Sequence, residues 1–244
     1  MARLAAEDPH RPGKVTFVLV HGAWHGGWCW RRVSALLRRG GHEVYAPSLS
    51  GLGERKHLAD RGIDLETHIR DVAQLIEMED LREVVLVGHS YGGMVVTGAA
   101  DRVPGRIARL VYLDAFVPKD GERLIDHVVP ERAARMREEG ERTGFVSPPP
   151  MALWGHTKQA NLDFIGPREV KHPYATMTQR IRLSGKTDPI PKTFVYCSSP
   201  ATGSFDGFAA KYRNDPAWRF HELKTGHDAM ILLPEEVARI LQAT

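Results

Sequence analysis

The sequence predicts an α/β fold with a mainly parallel, doubly wound sheet. Short β-branched and aliphatic runs, residues 15–20 and 84–87 above all, have the composition of strands buried on both faces. Stretches with helical spacing follow them. The strand–helix unit then recurs along the chain, which implies a parallel sheet with helices on both sides. A length of 244 residues, with 42% hydrophobic and 26% charged, suits one large α/β domain or two small ones.

Residues 1–13 carry Glu7, Asp8, His10 and prolines; they read as a flexible tail, without the apolar stretch of a signal peptide. The first strand, residues 15–20, runs into His21-Gly22-Ala23-Trp24-His25-Gly26-Gly27-Trp28, a glycine-rich loop that lets backbone approach a ligand closely. Residues 30–39 show helical spacing through Val33, Leu36 and Leu37, and Gly40-Gly41 stops them. A brief strand at 43–46 leads into a turn-rich loop, and residues 65–78 recover helical periodicity through Ile69, Val72, Leu75 and Ile76. After the strand at 84–87 and a helix over 94–100, residues 107–113 form another strand that closes at Asp114. Alternation breaks over 118–190. Helical signal there is confined to 131–141, but Trp154, Phe164, Ile165 and Tyr174 argue for a packed lid over the ligand edge of the sheet. It resumes with strands at 193–197 and 218–223 and helices at 205–213 and 234–241. The expected organisation is thus a core of 14–117 and 191–244 with a lid insertion at 118–190.

Net charge is +3, from 33 basic and 30 acidic residues with the signs interspersed, too little for a nucleic-acid footprint. The pairs Arg31-Arg32 and Arg38-Arg39 read as a solvated helix face. Cys29 and Cys197, far apart, read as buried reduced thiols, and no apolar run approaches the roughly 20 residues of a membrane span. A cytoplasmic protein with no membrane partner is expected. There is no G-x-G-x-x-G or P-loop, and the pairs His21/His25 and His221/His227 lack the spacing and carboxylate frame of a metal site, so neither cofactor nor metal is expected.

The chemistry centres on Gly88-His89-Ser90-Tyr91-Gly92, which lies between a buried-strand run and a helix. Strand, sharp turn and helix with a serine at the apex make the G-x-S-x-G nucleophile elbow. So tight a turn strains the serine backbone and excludes a Cβ two residues to either side. It also leaves the Tyr91 N–H at a helix start, where a negative oxygen is stabilised. A serine hydroxyl needs a base. Among twelve histidines, His227 in Thr225-Gly226-His227-Asp228 is the strongest candidate, because its loop follows the last strand and so reaches the same carboxyl edge as the elbow. His89 points away from its neighbour Ser90; His21 and His25 suit hydrogen-bonded shaping of the glycine-rich loop.

Three pieces, residues 17–28, 88–94 and 225–230, together with the element order, resemble an α/β-hydrolase throughout, and within it the plant methylesterase and hydroxynitrile lyase group and its bacterial esterase relatives. The resemblance implies a Ser90–acid–His227 triad and an oxyanion hole from the Ala23 and Tyr91 N–H groups, each such donor typically contributing about 3 kcal/mol of transition-state stabilisation. The acid departs from the plant-type pattern. There a carboxylate follows the strand equivalent to 193–197; here Ser198-Ser199-Pro200-Ala201 follow, and none comes until Asp206. Asp114, directly at its strand end as an orienting carboxylate should be, is preferred; Asp206, which also suits a helix N-cap, is the alternative, with Asp228 behind both.

Trp24, His25, Phe116, Trp154 and Met230 are the candidate walls of an apolar substrate pocket. The expected activity is cleavage of a small or apolar carboxylic ester, a methyl ester or lactone included, through an acyl-enzyme. The expected partner is that small-molecule ester, and a homodimer is left open. The alternative is a non-hydrolytic protein on the same fold, a ligand receptor or a biosynthetic cyclase or lyase. Cyanide elimination is disfavoured, because Gly22 and Asp228 stand where hydroxynitrile lyases carry threonine and lysine. A carboxylate nucleophile, as in haloalkane dehalogenases, is disfavoured by Ser90.

Overall fold

In a computed structural model that describes residues 13–244, six strands form one sheet whose neighbours are all parallel. They are β1 (Thr16–Val20), β2 (Glu43–Tyr45), β3 (Val84–His89), β4 (Ile107–Leu113), β7 (Lys192–Cys197) and β8 (Trp218–Leu223), in the order β2-β1-β3-β4-β7-β8. Two further strands, β5 (Phe145–Val146) and β6 (His172–Pro173), pair antiparallel outside it. The tail expected at residues 1–13 lies, Gly13 apart, outside the described residues.

Alternation of side chains across the pleat gives the sheet two apolar faces. Phe17, Leu19, Val85, Val87, Val111, Leu113 and Val195 pack with Val33 and Leu37 of α1 (Arg31–Arg39) and Val237, Ile240 and Leu241 of α9 (Pro234–Gln242). Val18, Val20, Leu86, Leu110, Tyr112 and Phe194 face Ile69, Val72 and Ile76 of α2 (Leu65–Met78), Val95 and Ala99 of α3 (Gly92–Arg102), and Ala209 and Tyr212 of α7 (Asp206–Tyr212). The start of α2 has a chemical cause, since the Asp64 side chain accepts from Thr67 N–H at 2.9 Å. Between α7 and α9 lies a short α8 (Ala229–Leu232), which begins two residues after His227.

Between β4 and β7 the chain is more regular than its sequence suggests. Besides α4 (Pro130–Thr143) it holds α5 (Gln159–Ile165), α6 (Ala175–Thr178) and the β5–β6 ladder. These are too short for periodicity to reveal. The insertion is tied down through Trp24, whose Nε1–H donates to Val146 O at 2.8 Å and whose carbonyl accepts from Val170 N–H at 3.1 Å. Cys29 and Cys197 are both free and buried. Among the described residues no helix is long and apolar enough to cross a membrane.

Candidate active site

Ser90 stands at the end of β3 with φ of +54°, a left-handed conformation that a serine holds only under constraint. The flanking glycines are required sterically. A Cβ on Gly88 would lie 2.7 Å from Gly92 O, and one on Gly92 would lie 2.7 Å from Val20 O. Ser90 N–H donates to Leu113 O at 3.3 Å and Ser90 O accepts from Phe116 N–H at 3.2 Å, so the turn is clamped to the exit of β4.

That exit carries Asp114, also left-handed at φ +42°. Its Oδ2 lies 2.6 Å from His227 Nδ1, and its Oδ1 accepts from Cys197 N–H at 3.1 Å. The structure therefore brings Asp114, and not Asp206, to His227. Asp206 is exposed at the start of α7 and accepts from the Tyr196 hydroxyl at 2.8 Å. Burial pushes the Asp114 pKa well above the usual carboxylate range, against the pull of the Cys197 N–H. Burial lowers His227 to about 4. With a neutral imidazole whose Nδ1 proton points at Asp114, Nε2 is left as an acceptor. Phe205 lies parallel to the imidazole, ring centroids 5.0 Å apart and planes within 11°, and restrains its rotation.

Ser90 and His227 line one cavity of about 430 Å3, part of it open to solvent, together with Ala23, Trp24, Tyr91, Phe116 and Trp154. Among the described residues the Ala23 and Tyr91 N–H groups have no hydrogen-bond partner. The insertion adds Leu124, Val128, Arg132, Met136 and Met177 to the wall. Of the five expected pocket residues, Trp24, Phe116 and Trp154 line the cavity and His25 and Met230 do not. Met230 is wholly buried in the core on the other face of the sheet, because α8 turns it inward. His25 is turned away toward Asp228, sandwiched between Trp28 and Trp154.

The glycine-rich loop is shaped by its histidines. His21 Nδ1–H donates to Gly22 O at 2.7 Å and its Nε2 accepts from Leu49 N–H at 3.0 Å, which fixes the tautomer. Burial lowers its pKa to about 3, so it stays neutral. His25 donates from Nδ1 to Ala23 O at 2.8 Å and from Nε2 toward Asp228 Oδ2 at 3.3 Å. Burial opposes its charged form, but the Asp228 carboxylate prevails and raises its pKa.

Asp228, which the sequence places behind Asp114 and Asp206, is the centre of a histidine cluster. Fully buried beside His227, it takes His156 Nε2 at 2.7 Å as well as His25, with His89 Nε2 at 3.6 Å. Burial opposes its ionisation, and these histidines nonetheless hold its pKa well below the carboxylate range. Only the fold could reveal His156 as a partner, because it sits 72 residues away on the insertion. Donor atoms of His89, His227 and Asp228 lie within 4.8 Å of one another, the grouping among the described residues most like a metal-binding set. Those imidazoles are already engaged, His89 Nε2 with His227 O at 3.1 Å and His227 Nδ1 with Asp114.

A strained serine, a buried histidine–carboxylate pair and a shared cavity at the carboxyl edge of a parallel sheet define an α/β-hydrolase. The chain belongs to the alpha/beta hydrolase family, whose model matches residues 17–242. It is 40% identical over 238 residues to the carbendazim hydrolyzing esterase of Nocardioides sp. (strain SG-4G), covering 93% of this chain and 98% of that one. Methylesterase 2 of Arabidopsis thaliana is 38% identical over 130 residues, 52% of this chain and 49% of its own. Among solved structures, an extracellular alpha/beta-hydrolase from a Paenibacillus species superposes with a TM-score of 0.81 at 25% identity, over 93% of this chain and 97% of that one. The chain is accordingly a carboxylic ester hydrolase.

Proposed function

We propose that the protein cleaves small carboxylic esters by a serine route, with Ser90 as nucleophile, His227 as general base and then acid, and Asp114 as the carboxylate that orients it. The observation that carries this reading is the 2.6 Å contact of His227 with Asp114 at a cavity that His227 shares with Ser90. His227 Nε2 takes the Ser90 proton as Oγ attacks the ester carbonyl, and the Ala23 and Tyr91 N–H groups hold the oxyanion. Collapse releases the alcohol, to which His227 returns the proton, and leaves an acyl-serine. A water, deprotonated by the same imidazole, then cleaves the acyl-serine to the carboxylic acid and restores Ser90. Asp114 holds the Nδ1 side of the imidazole while Nε2 takes up and returns the proton.

Lyase chemistry is disfavoured sterically as well as by charge. A Cβ at Gly22 would lie 2.8 Å from Ser90 Cβ and 2.9 Å from His89 Nδ1, so a threonine does not fit there without displacing the nucleophile. Mass spectrometry after exposure to a fluorophosphonate tests the reading. An adduct on Ser90 in the wild type, absent in Ser90→Ala together with turnover of 4-nitrophenyl acetate, is expected; turnover retained by Ser90→Ala would sink it.

A further inference from the structure

Among the described residues, Arg132, on α4 of the insertion, is the one permanently charged side chain lining the cavity. Its Nη1 donates to Ser204 Oγ at 3.3 Å and its Nη2 to Thr202 O at 3.2 Å, both neutral acceptors at long range. Among the described residues it has no carboxylate partner. Arg102, Arg106, Arg123, Arg213 and Arg239 each pair with an acidic group; Arg32, Arg38 and Arg168 share with Arg132 the lack of one, but none of these three lines the cavity.

A half-buried guanidinium among Val128, Met136, Trp154 and Phe205 has lost water without gaining a counter-charge, and that desolvation lowers its pKa from the ordinary value. Its charge also depresses the His227 imidazole, so cation and base face the same space. Two of its five N–H donors are spent on the loop at 202–204, and three remain for a ligand. A planar fork with free donors in an apolar wall matches a carboxylate, which it can take bidentately.

We propose that Arg132 is the specificity determinant of this site, and that the substrate is a monoanionic ester bearing a carboxylate set a short apolar spacer away from the carbonyl attacked by Ser90. The inference builds on the serine-ester reading above. Hydrolysis of such an ester consumes one water and yields a second carboxylate, an alcohol and a proton. The free carboxylate takes no part in bond making; it anchors the substrate against Arg132.

The test measures kcat/KM for two matched ester pairs, 4-nitrophenyl hemisuccinate against 4-nitrophenyl butyrate and 4-acetoxybenzoate against phenyl acetate. The first pair places the anion on the acyl side and the second on the alcohol side. Wild type is expected to favour the anionic member of at least one pair. The anionic-to-neutral ratio should fall about ten-fold or more in Arg132→Gln and less in Arg132→Lys, which keeps the charge without the fork. Because each ratio is taken within one variant, any loss of folded enzyme cancels. A wild-type preference for the neutral member of both pairs would overturn the proposal. So would a ratio unmoved by Arg132→Gln, which would make Arg132 only a tie between α4 and the loop. If neither variant folds, competitive inhibition of wild type by benzoate and benzamide decides, and tighter inhibition by benzamide overturns it. Fluorophosphonate labelling of wild-type Ser90 separates the two readings. Labelling with an unmoved ratio defeats this inference alone, whereas no labelling and no turnover defeat the serine reading and this one with it.

Discussion

His227 Nδ1 meets Asp114 Oδ2 at 2.6 Å across 113 residues of chain, while Asp206, only 21 residues before the histidine, bonds elsewhere. The contact arises because β4 and β7 are adjacent in the sheet. Asp114 N–H donates to Val195 O at 2.7 Å and its carboxylate takes Cys197 N–H, so the aspartate is held over the end of β7, under the loop that carries His227.

Asp114→Asn should therefore lower kcat on 4-nitrophenyl acetate by about 10^4-fold, because an amide at this position favours the wrong imidazole tautomer. Asp206→Asn should stay within about three-fold of wild type, as an exposed site away from the imidazole does. A large loss confined to Asp206→Asn would reverse the assignment.

Gly22→Ala should be severely impaired while remaining folded. Its new Cβ would meet Ser90 Cβ at 2.8 Å, and displacement of a nucleophile by about 1 Å can cost on the order of 10^2-fold. Steady-state kinetics alongside circular dichroism would show it, and near-normal kcat would mean that the loop yields more easily than its hydrogen bonds imply.

Asp228→Asn should act on stability. Neutralising a buried carboxylate that serves His25 and His156 leaves them an amide oxygen to donate to but takes away the counter-charge of His25, a loss of about 3–5 kcal/mol and so a fall of roughly 10 °C in Tm for a chain of this size. Differential scanning calorimetry at neutral pH measures it; an unchanged Tm would show that His25 is not charged there.

Acid should weaken both function and fold. As the proposed base His227 would be competent when neutral, and burial lowers its pKa to about 4, so kcat/KM should stay level from pH 8 to 6 and fall only as pH approaches 4. An acid limb centred near 6.5 would contradict this. For stability, His21, His68, His89, His172 and His227 all have folded pKa values below the unfolded value of 6.5. The unfolded chain then binds more protons, and their contribution, present above 6.5, is lost as pH falls toward about 4. His25, Asp114 and Glu169, whose values are raised, act in the opposite sense but are fewer. Tm should drop between pH 7 and pH 5, and a flat profile there would refute it.

What the sequence determined by itself was local. The β-branched runs of β1 and β3, the spacing of Ile69, Val72 and Ile76 in α2, and the Gly88-His89-Ser90-Tyr91-Gly92 turn each depend on neighbours within a few residues, and they are legible for that reason. The loop position of His227 followed from element order. Only tertiary structure decided which aspartate meets it, because strand adjacency brings together groups far apart in sequence. The same holds for the burial of Met230 behind the cavity, for the turning of His25 to Asp228 and for the recruitment of His156. The placing of Arg132, on α4, in the wall of the cavity that Ser90 also lines required the fold as well. Short-range sterics write the elements and the elbow into the chain; long-range packing and charge pairing in a low-dielectric interior select the residues that surround them.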